Sequence, residues 1–278
     1  YFDANGRGTA TSSHTTLTVT RGGKVVTDSS LEILTRVVAA EVGGFWNDEV
    51  YKAQAVASHS YILYQQQKGN NPAPQVPEPT SSVTTAQLDR IRAAIAPVAD
   101  MIVTYQGSVA QTAYTASASI RTNSAADAGW GNFPYLTRVP SIYDQESANY
   151  SVRYLMTKDQ MIAALNRIYD SDKTEPIDFT TDPATWLGCT LDERGYVDRM
   201  QITIRRATSA GVSGTYTPRA NYFKENAGLG LRSANYTFSY HPDTQTWEFV
   251  TYGFGHGAGM SQWGAYFYNI KEGRSWTE

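Results

Sequence analysis

One carboxyl group, Glu41, stands where an apolar residue is expected. From residue 31 onward, apolar residues recur at helical spacing, at Leu34, Val37 and Val38. Glu41 continues the same face of this predicted helix. An acid on a buried face is costly unless it is protonated, paired or hydrogen-bonded, because desolvation disfavours its charged form. Either Glu41 has a structural partner, or its raised proton affinity serves a reaction.

The ends of the neighbouring helices place Glu41 at a corner. Gly43 and Gly44 predict that the first helix stops there, with Glu41 in its last turn, where the negative end of the peptide dipoles disfavours ionisation. Asn47 is a candidate N-cap for a second helix over residues 48–67. Its N-terminus would act in the opposite direction if it faced the carboxyl group, and the sequence leaves this balance open. A carboxyl group kept neutral at such a corner suits a general acid.

The second predicted helix carries a stripe of small residues, Ala53, Ala57 and Ser60. Such a stripe allows close approach of another helix, so we expect the two helices to pack as one buried unit. Lys52 and His59 share another face, seven residues apart.

Lys52 has two interpretations. It could stabilise charge near Glu41, although a cation there would lower the proton affinity of the acid. The alternative is a solvent-exposed Lys52 paired with Asp48 or Glu49.

Composition excludes several classes of function. A net charge of −3 and scattered Lys and Arg residues provide no basic field for nucleic acid. The single cysteine, Cys189, excludes an intrachain disulfide and a Cys-rich metal site. No apolar run reaches the roughly 18 to 20 residues of a membrane span. The chain starts at Tyr1, which leaves room for a signal peptide or anchor upstream.

The remaining pattern mixes helices with hairpins and predicts an α+β fold, a helical corner packed on antiparallel strands, with two lobes flanking a cleft as one form of it. At 278 residues, one elaborated domain over 1–278 or two lobes, 1–140 and 141–278, are both compatible with the length. We expect helices over 88–96 and 158–169, hairpins over 15–26 and 101–115, strands over 197–205, 236–240 and 247–250, a surface loop over 70–79 and an exposed loop over 117–128.

Two long motifs resemble one family. Residues 37–61, with AAE at 39–41 and KAQAVA at 52–57, resemble the start of the SpoIID/LytB domain of sporulation protein D and amidase-enhancer proteins. Residues 253–265, GFGHGAGMSQWGA, resemble its second signature. Shorter matches at 105–107, 134–136, 195–197 and 229–233 extend the resemblance over most of the chain.

The resemblance implies a peptidoglycan lytic transglycosylase with Glu41 as catalytic acid and base and with no cofactor. Such an enzyme cleaves the β-1,4 bond between N-acetylmuramic acid and N-acetylglucosamine and forms a 1,6-anhydro product. It implies glycan strands, and other cell-wall hydrolases, as partners, and an extracytoplasmic location. The substrate-binding positions that we expect are Lys52, His59, Tyr114, Gly255, His256, Gly257, Ser261 and Gln262.

The second motif leaves several roles open. Its glycines can adopt positive φ and approach a ligand closely. His256 could donate to a sugar hydroxyl, orient Glu41 or tie the loop to backbone. Ser261 and Gln262 predict the start of a helix, with Gln262 able to bind sugar hydroxyls, while Trp263 either stacks on sugar or packs in the core.

Two departures from the family pattern support rival hypotheses. His59 stands where many relatives carry Arg, and residues 114–122 lack the His and paired glycines of the family loop, with Thr115 in the place of the His. Some relatives look as though they bind zinc near this loop, and its sequence here predicts none. The rival to catalysis is a non-catalytic wall-binding or amidase-enhancing module. A third hypothesis is a muramidase with two carboxylates, although no second acid has a setting comparable to that of Glu41.

Overall fold

The computed structural model describes residues 15–44, 46–148, 150–169, 177–205 and 212–278. The predicted α+β class is confirmed. In these ranges the helices are α1 (Ser30–Val42), α2 (Asp48–Gln67), α3 (Thr85–Ile95), α4 (Lys158–Tyr169), α5 (Ala220–Asn226) and α6 (Gln262–Glu272). The strands are β1 (Thr16–Arg21), β2 (Lys24–Ser29), β3 (Thr104–Tyr105), β4 (Ser108–Val109), β5 (Tyr114–Thr115), β6 (Ser151–Met156), β7 (Leu187–Leu191), β8 (Val197–Arg205), β9 (Val212–Tyr216), β10 (Tyr236–His241), β11 (Thr246–Tyr252) and β12 (Met260–Ser261).

The chain forms two compact units. Unit 1 contains the described residues up to Tyr114 together with Gln262–Glu278, and unit 2 is the continuous segment Thr115–Ser261. Unit 2 is therefore inserted in the sequence of unit 1. Nothing in the described ranges forms a helix with the length and apolar character that a bilayer crossing requires.

Unit 1 begins with the predicted hairpin. β1 and β2 pair antiparallel from Thr16 opposite Ser29 to Arg21 opposite Lys24, and the two-residue turn contains Gly22 and Gly23 at positive φ. The side chain of Ser29 then caps α1 by accepting a hydrogen bond from the Glu32 N–H. The turn from sheet to helix is thus encoded locally.

Helices α1, α2 and α3 enclose the core of unit 1, as the small-residue stripe of α2 predicts for the first two. Asn47 caps α2 by accepting from the Val50 N–H, and Thr84 caps α3 in a reciprocal box with Gln87. The most deeply buried core side chains include Leu34, Val38, Tyr51, Ile62 and Ile91. α6 packs on α2.

The contact that α6 makes near the start of α2 is aromatic. The rings of Trp46 and Trp263 lie 4.7 Å apart, and Tyr266 meets Trp46 edge-on at 5.3 Å. Asn47 donates from its side-chain amide to Asn269 at 2.9 Å. Trp263 therefore belongs to the packing of α6 on unit 1, which is one of the two roles anticipated for it.

Unit 2 has a core of its own, built on two small antiparallel sheets. One has the order β10-β11-β6 and the other β7-β8-β9. Trp186 and Trp247 stack at 5.6 Å inside this core, and Phe223 stacks on Phe249 at 5.9 Å. α4 contributes Met161 and Leu165 to the same cluster.

The prediction of an exposed loop over residues 117–128 is wrong. Ser117, Ala118, Ser119 and Asn123 are among its members buried in unit 2. The polar composition of this loop suggests exposure to solvent. Its polar groups are instead buried and satisfied by hydrogen bonds within unit 2, for example to the backbone and to a buried acid.

Candidate active site

Glu41 lies in the last turn of α1, as the sequence predicted. Its side chain is half-buried, whereas Val37 and Val38 on the same face are fully inside the core. Gly43 follows at φ 72° and its N–H donates to the Ala39 carbonyl, which ends the helix. The carboxyl group therefore sits at the corner before α2, with part of its surface open to solvent.

Two neutral side chains donate to this carboxyl group. The Tyr114 hydroxyl donates to Glu41 Oε1 at 3.2 Å. The side-chain amide of Gln262, the first residue of α6, also donates to it. Neutral donors orient the group without bringing a positive charge to it.

Burial raises the pKa of Glu41 above its ordinary value and outweighs the hydrogen bonds from Tyr114 and Gln262, which lower it. Burial also raises the pKa of Tyr114, and the negative charge of Glu41 raises it further. The phenol thus stays protonated and remains a donor. Glu41 holds its proton to a higher pH than a free glutamate, as a general acid requires.

Behind the two donors, Gln54 and Ser58 of α2 close a hydrogen-bonded ring. Gln262 Nε2 donates to Gln54 Oε1 at 3.1 Å, and Gln54 Nε2 donates to Ser58 Oγ at 3.0 Å. Ser58 donates in turn to the Tyr114 hydroxyl. We call Glu41, Tyr114, Ser58, Gln54 and Gln262 the carboxyl ring. All five residues belong to unit 1.

The sequence did not lead us to predict Gln54 and Ser58 as residues of the site. They are one helical turn apart, and both are buried, with Gln54 showing no exposed surface. Two polar residues at this spacing on an otherwise buried face were the available signal. Gln262 was expected to bind sugar hydroxyls, but it too is buried and its amide serves Glu41 and Gln54.

The other predicted residues of unit 1 lie apart from the ring's hydrogen bonds. Lys52 Nζ pairs with Glu49 at 2.7 Å, which is one of the alternatives the sequence left open. Glu49 also accepts from the Trp276 N–H at 2.8 Å. The side chain of His59 has no exposed surface, so direct contact with a substrate would require α2 to move.

The glycine-rich turn lies in unit 2. Gly255 and Gly257 have φ values of 111° and 73°, which favour glycine. A Cβ on Gly255 would clash with Thr115 Oγ1. Thr115 donates to the Phe254 carbonyl at 2.8 Å and accepts from the Gly257 N–H at 3.3 Å. Thr115 thus stabilises the glycine-rich turn by hydrogen bonds within unit 2.

His256 is half-buried at the tip of this turn. Its Nδ1 accepts from the Ala258 N–H at 3.1 Å, so the neutral ring carries its hydrogen on Nε2. Trp130 meets the imidazole edge-on at 4.6 Å, and Asn123 donates to the His256 carbonyl at 2.7 Å. These contacts orient the ring, and its Nε2–H is a donor.

Ser261 is buried and donates to Asp144 Oδ1 at 2.8 Å. Asp144 also accepts at Oδ2 from the Ala118 N–H at 2.7 Å and from Ser141 at 3.0 Å. Burial raises the pKa of Asp144 to about 6 against these three hydrogen bonds, which lower it. This acid could not be predicted from the sequence, because it lies in a short 3₁₀ helix (Ile142–Glu146) with no periodic pattern.

We also searched the described residues for side chains that could bind a metal ion. No group of three or more His, Cys, Asp or Glu side chains among the described residues could hold a metal ion. The site of unit 1 is instead built from one acid and neutral donors.

Together these features define an α+β protein with a half-buried carboxyl group, Glu41, held in a ring of neutral donors at a helix corner. The resemblance found in the sequence motifs is confirmed by comparison. Residues 22–105 match the family model described as SpoIID, stage II sporulation protein. The match includes Glu41, Gln54 and Ser58.

Two similar proteins carry the name stage II sporulation protein D. The protein from Bacillus subtilis (strain 168) is 26% identical over 268 residues, which cover 88% of this chain and 69% of the relative. The protein from Bacillus amyloliquefaciens is 26% identical over 274 residues, covering 89% and 70%. The chain is therefore similar to these two proteins along most of its length.

Proposed function

We propose that this protein is a lytic transglycosylase that cleaves peptidoglycan glycan strands during cell-wall remodelling in sporulation. Glu41 is its catalytic acid and base. The observation that carries the proposal is the setting of Glu41, a half-buried carboxyl group whose pKa is raised and which the neutral donors Tyr114 and Gln262 hold. The similarity to sporulation proteins supports the biological setting.

The reaction needs one group that first gives a proton and then takes one. Protonated Glu41 donates its proton to the glycosidic oxygen as the bond from C1 of the muramoyl residue breaks. The muramoyl C6 hydroxyl attacks C1, and the Glu41 carboxylate accepts the hydroxyl proton. The products are a free N-acetylglucosamine hydroxyl and a 1,6-anhydro end. Glu41 is again protonated, and no water is consumed.

A hydrolytic mechanism needs a second carboxylate within about 5 to 10 Å of the first, across the scissile bond. Asp144, the buried acid of unit 2, does not suit this role. Its side chain has no exposed surface, and both of its oxygens accept hydrogen bonds from the protein. This favours a mechanism with a single acid.

The non-catalytic alternative has one observation in its favour. Thr115 occupies the place of the family's loop His, and its hydroxyl is engaged in holding the backbone of the glycine-rich turn. A module that keeps its shape and binds the wall, or assists another cell-wall hydrolase, is compatible with that exchange. Both readings place the protein outside the cytoplasm, where glycan strands are found.

Peptide-free glycan strands distinguish the two functions. Wild-type protein should release fragments with 1,6-anhydromuramoyl ends, detected by mass spectrometry. Glu41→Gln should release none, because an amide cannot donate a proton at a useful rate. Glu49→Gln, which changes a half-buried acid in the first turn of α2, serves as the matched control and should remain active. Binding of the strands by wild type without any product would establish the non-catalytic function, and incorporation of labelled water into new reducing ends would establish a hydrolase.

A further inference from the structure

The hydrogen bonds of the carboxyl ring have one direction. Gln54 offers its amide N–H to Ser58 and its carbonyl oxygen to Gln262. Because Ser58 already accepts from Gln54, its single O–H is available for the Tyr114 hydroxyl. The Tyr114 hydroxyl accepts that hydrogen bond and donates its own O–H to Glu41. Both series of hydrogen bonds, the direct one and the one through Gln54, Ser58 and Tyr114, therefore start at Gln262 and end at the carboxyl group.

This direction restricts where the proton of Glu41 can lie. Gln262 uses one amide hydrogen on Gln54 and the other on Glu41. Inside the ring, the carboxyl group meets two donors and no free acceptor. A proton carried by Glu41 can form no hydrogen bond within the ring, so it must lie on the open side of the half-buried group.

The opposite direction has a defined cost. The Gln54 amide would have to turn over, and the bonds of Ser58 and Tyr114 would have to reverse together. The ionised carboxylate would then lose the Tyr114 donor, and hydrogen bonds to ions are about twice as strong as those between neutral groups. The carboxylate state thus selects the observed direction, and burial of Gln54 and Ser58 hinders its reversal.

We propose that Gln54 and Ser58, which do not touch the carboxyl group, are positioning residues that keep the acidic proton of Glu41 directed out of the ring and toward substrate. The catalytic use of that proton rests on the proposed function. The effect of the ring on the titration of Glu41 does not, because it depends only on hydrogen bonds within unit 1.

Among the described residues, the side chains of Tyr114 and Gln262 act on the pKa of Glu41 through hydrogen bonds. Tyr114, from β5, is the titratable group that acts on it, and α6 contributes the neutral Gln262. Tyr61 of α2 lies behind Tyr114, ring edge to ring at 6.4 Å, and acts on that phenol rather than on Glu41. Lys52, which also belongs to α2, is paired with Glu49.

The test is the titration of Glu41 in Ser58→Ala and in Gln54→Met, measured by NMR of full-length protein labelled with glutamate at the side-chain carboxyl carbon. Glu41→Gln identifies the signal. Both variants should raise the pKa of Glu41, because Tyr114 is then a less polarised donor and can accept from the protonated acid. The maximal rate of glycan cleavage should fall about 10- to 100-fold, because the proton is no longer held in its productive direction.

Ser60→Ala provides the matched control. Ser60 is as buried as Ser58 and lies on the same helix, but it bonds the Val56 carbonyl and the Val103 N–H outside the ring. Its removal should lower the melting temperature and leave the pKa of Glu41 unchanged. A double variant of Ser58 and Gln54 should titrate like either single variant, since one break already opens the ring.

An unchanged pKa of Glu41 in folded Ser58→Ala would overturn the proposal, as would an equal rise in Ser60→Ala. Failure of the proposed function gives a different result. In that case the ring variants would still raise the pKa of Glu41, while wild-type protein would release no anhydro product.

Discussion

At the scale of the residue, the chemistry of Glu41 depends on which kind of partner holds it. An acid paired with Arg or Lys keeps a low pKa and stays ionised, as the half-buried Asp127 does. Although burial raises the pKa of Asp127, hydrogen bonds from Arg138 and Ser124 hold it down at about 2. Glu41 receives hydrogen bonds from Tyr114 and Gln262 instead, and its pKa is raised. Neutral donors fix the position of an acid without the positive charge that would keep it ionised.

Tyr114→Phe tests how the phenol hydroxyl affects the pKa of Glu41 and the stability of unit 1. The substitution removes a donor that stabilises the ionised form, so the pKa of Glu41 should rise further. Because the acid acts in its protonated form, the alkaline limb of the pH profile of kcat/KM should move to higher pH. The loss of one hydrogen bond should also destabilise unit 1 by about 1 kcal/mol.

The control for this profile is Tyr222→Phe, which removes a phenol hydroxyl from an exposed ring in unit 2. Its alkaline limb should coincide with that of wild type. A limb that moves to lower pH in Tyr114→Phe would contradict the role of Tyr114 as a donor to the carboxylate.

At the scale of the element, Asp144 joins three segments of unit 2. It accepts from Ala118 in the buried loop, from Ser141 before a 3₁₀ turn, and from Ser261 in β12. Its raised pKa of about 6, compared with 3.8 for a free aspartate, means that the folded unit binds this proton more tightly than the unfolded chain.

The free energy of unfolding should therefore depend on pH through the protonation of Asp144. As pH rises from about 4 to about 6, the unfolded chain loses the proton first, so the free energy of unfolding falls, by about 3 kcal/mol in total. Asp144→Asn cannot titrate, and Ser261 can rotate to accept from the new amide. We therefore expect the stability of Asp144→Asn relative to wild type to increase by about 3 kcal/mol between pH 4 and pH 8, as measured by urea denaturation.

Asp127→Asn should show the opposite trend. The pKa of Asp127 is lowered to about 2, so its ion pair with Arg138 stabilises the fold above the ordinary aspartate pKa and is lost as pH falls. This variant should be less stable than wild type at pH 7, and the difference should shrink toward pH 2. Parallel trends in the two variants would show that Asp144 is ionised in the folded unit at acidic pH.

The sequence predicted those elements whose signals are local. Asn47 and Gly43 marked the ends of the helices around Glu41, and Gly22 with Gly23 marked the first hairpin. It could not predict what Gln54 bonds to, because Gln262 lies 208 residues away in the chain. Polar contacts between residues far apart in the chain produce no periodic pattern in the sequence. For the same reason, the sequence wrongly predicts an exposed loop over 117–128.

At the scale of the whole molecule, the acid and the glycine-rich turn belong to different folding units. The carboxyl ring closes only when α6, from the end of the chain, packs on unit 1 and supplies Gln262. Unit 2 is continuous in sequence and has a separate aromatic core around Trp186 and Trp247. The first motif that resembles the SpoIID/LytB domain, residues 37–61, lies in unit 1, whereas the second, residues 253–265, has its first nine residues in unit 2 and its last four in unit 1.

This division predicts how fragments behave. Residues 115–261 expressed alone should unfold in one cooperative transition followed by tryptophan fluorescence, because the fragment keeps the stacked Trp186 and Trp247. Residues 15–114 alone lack α6, which leaves Trp46 without Trp263 and Glu41 without Gln262. That fragment should expose apolar surface, bind a hydrophobic dye and unfold without a sharp transition. Trp247→Ala in the first fragment is the control and should cost about 3 to 5 kcal/mol. Cooperative folding of 15–114 would show that α6 is dispensable for unit 1.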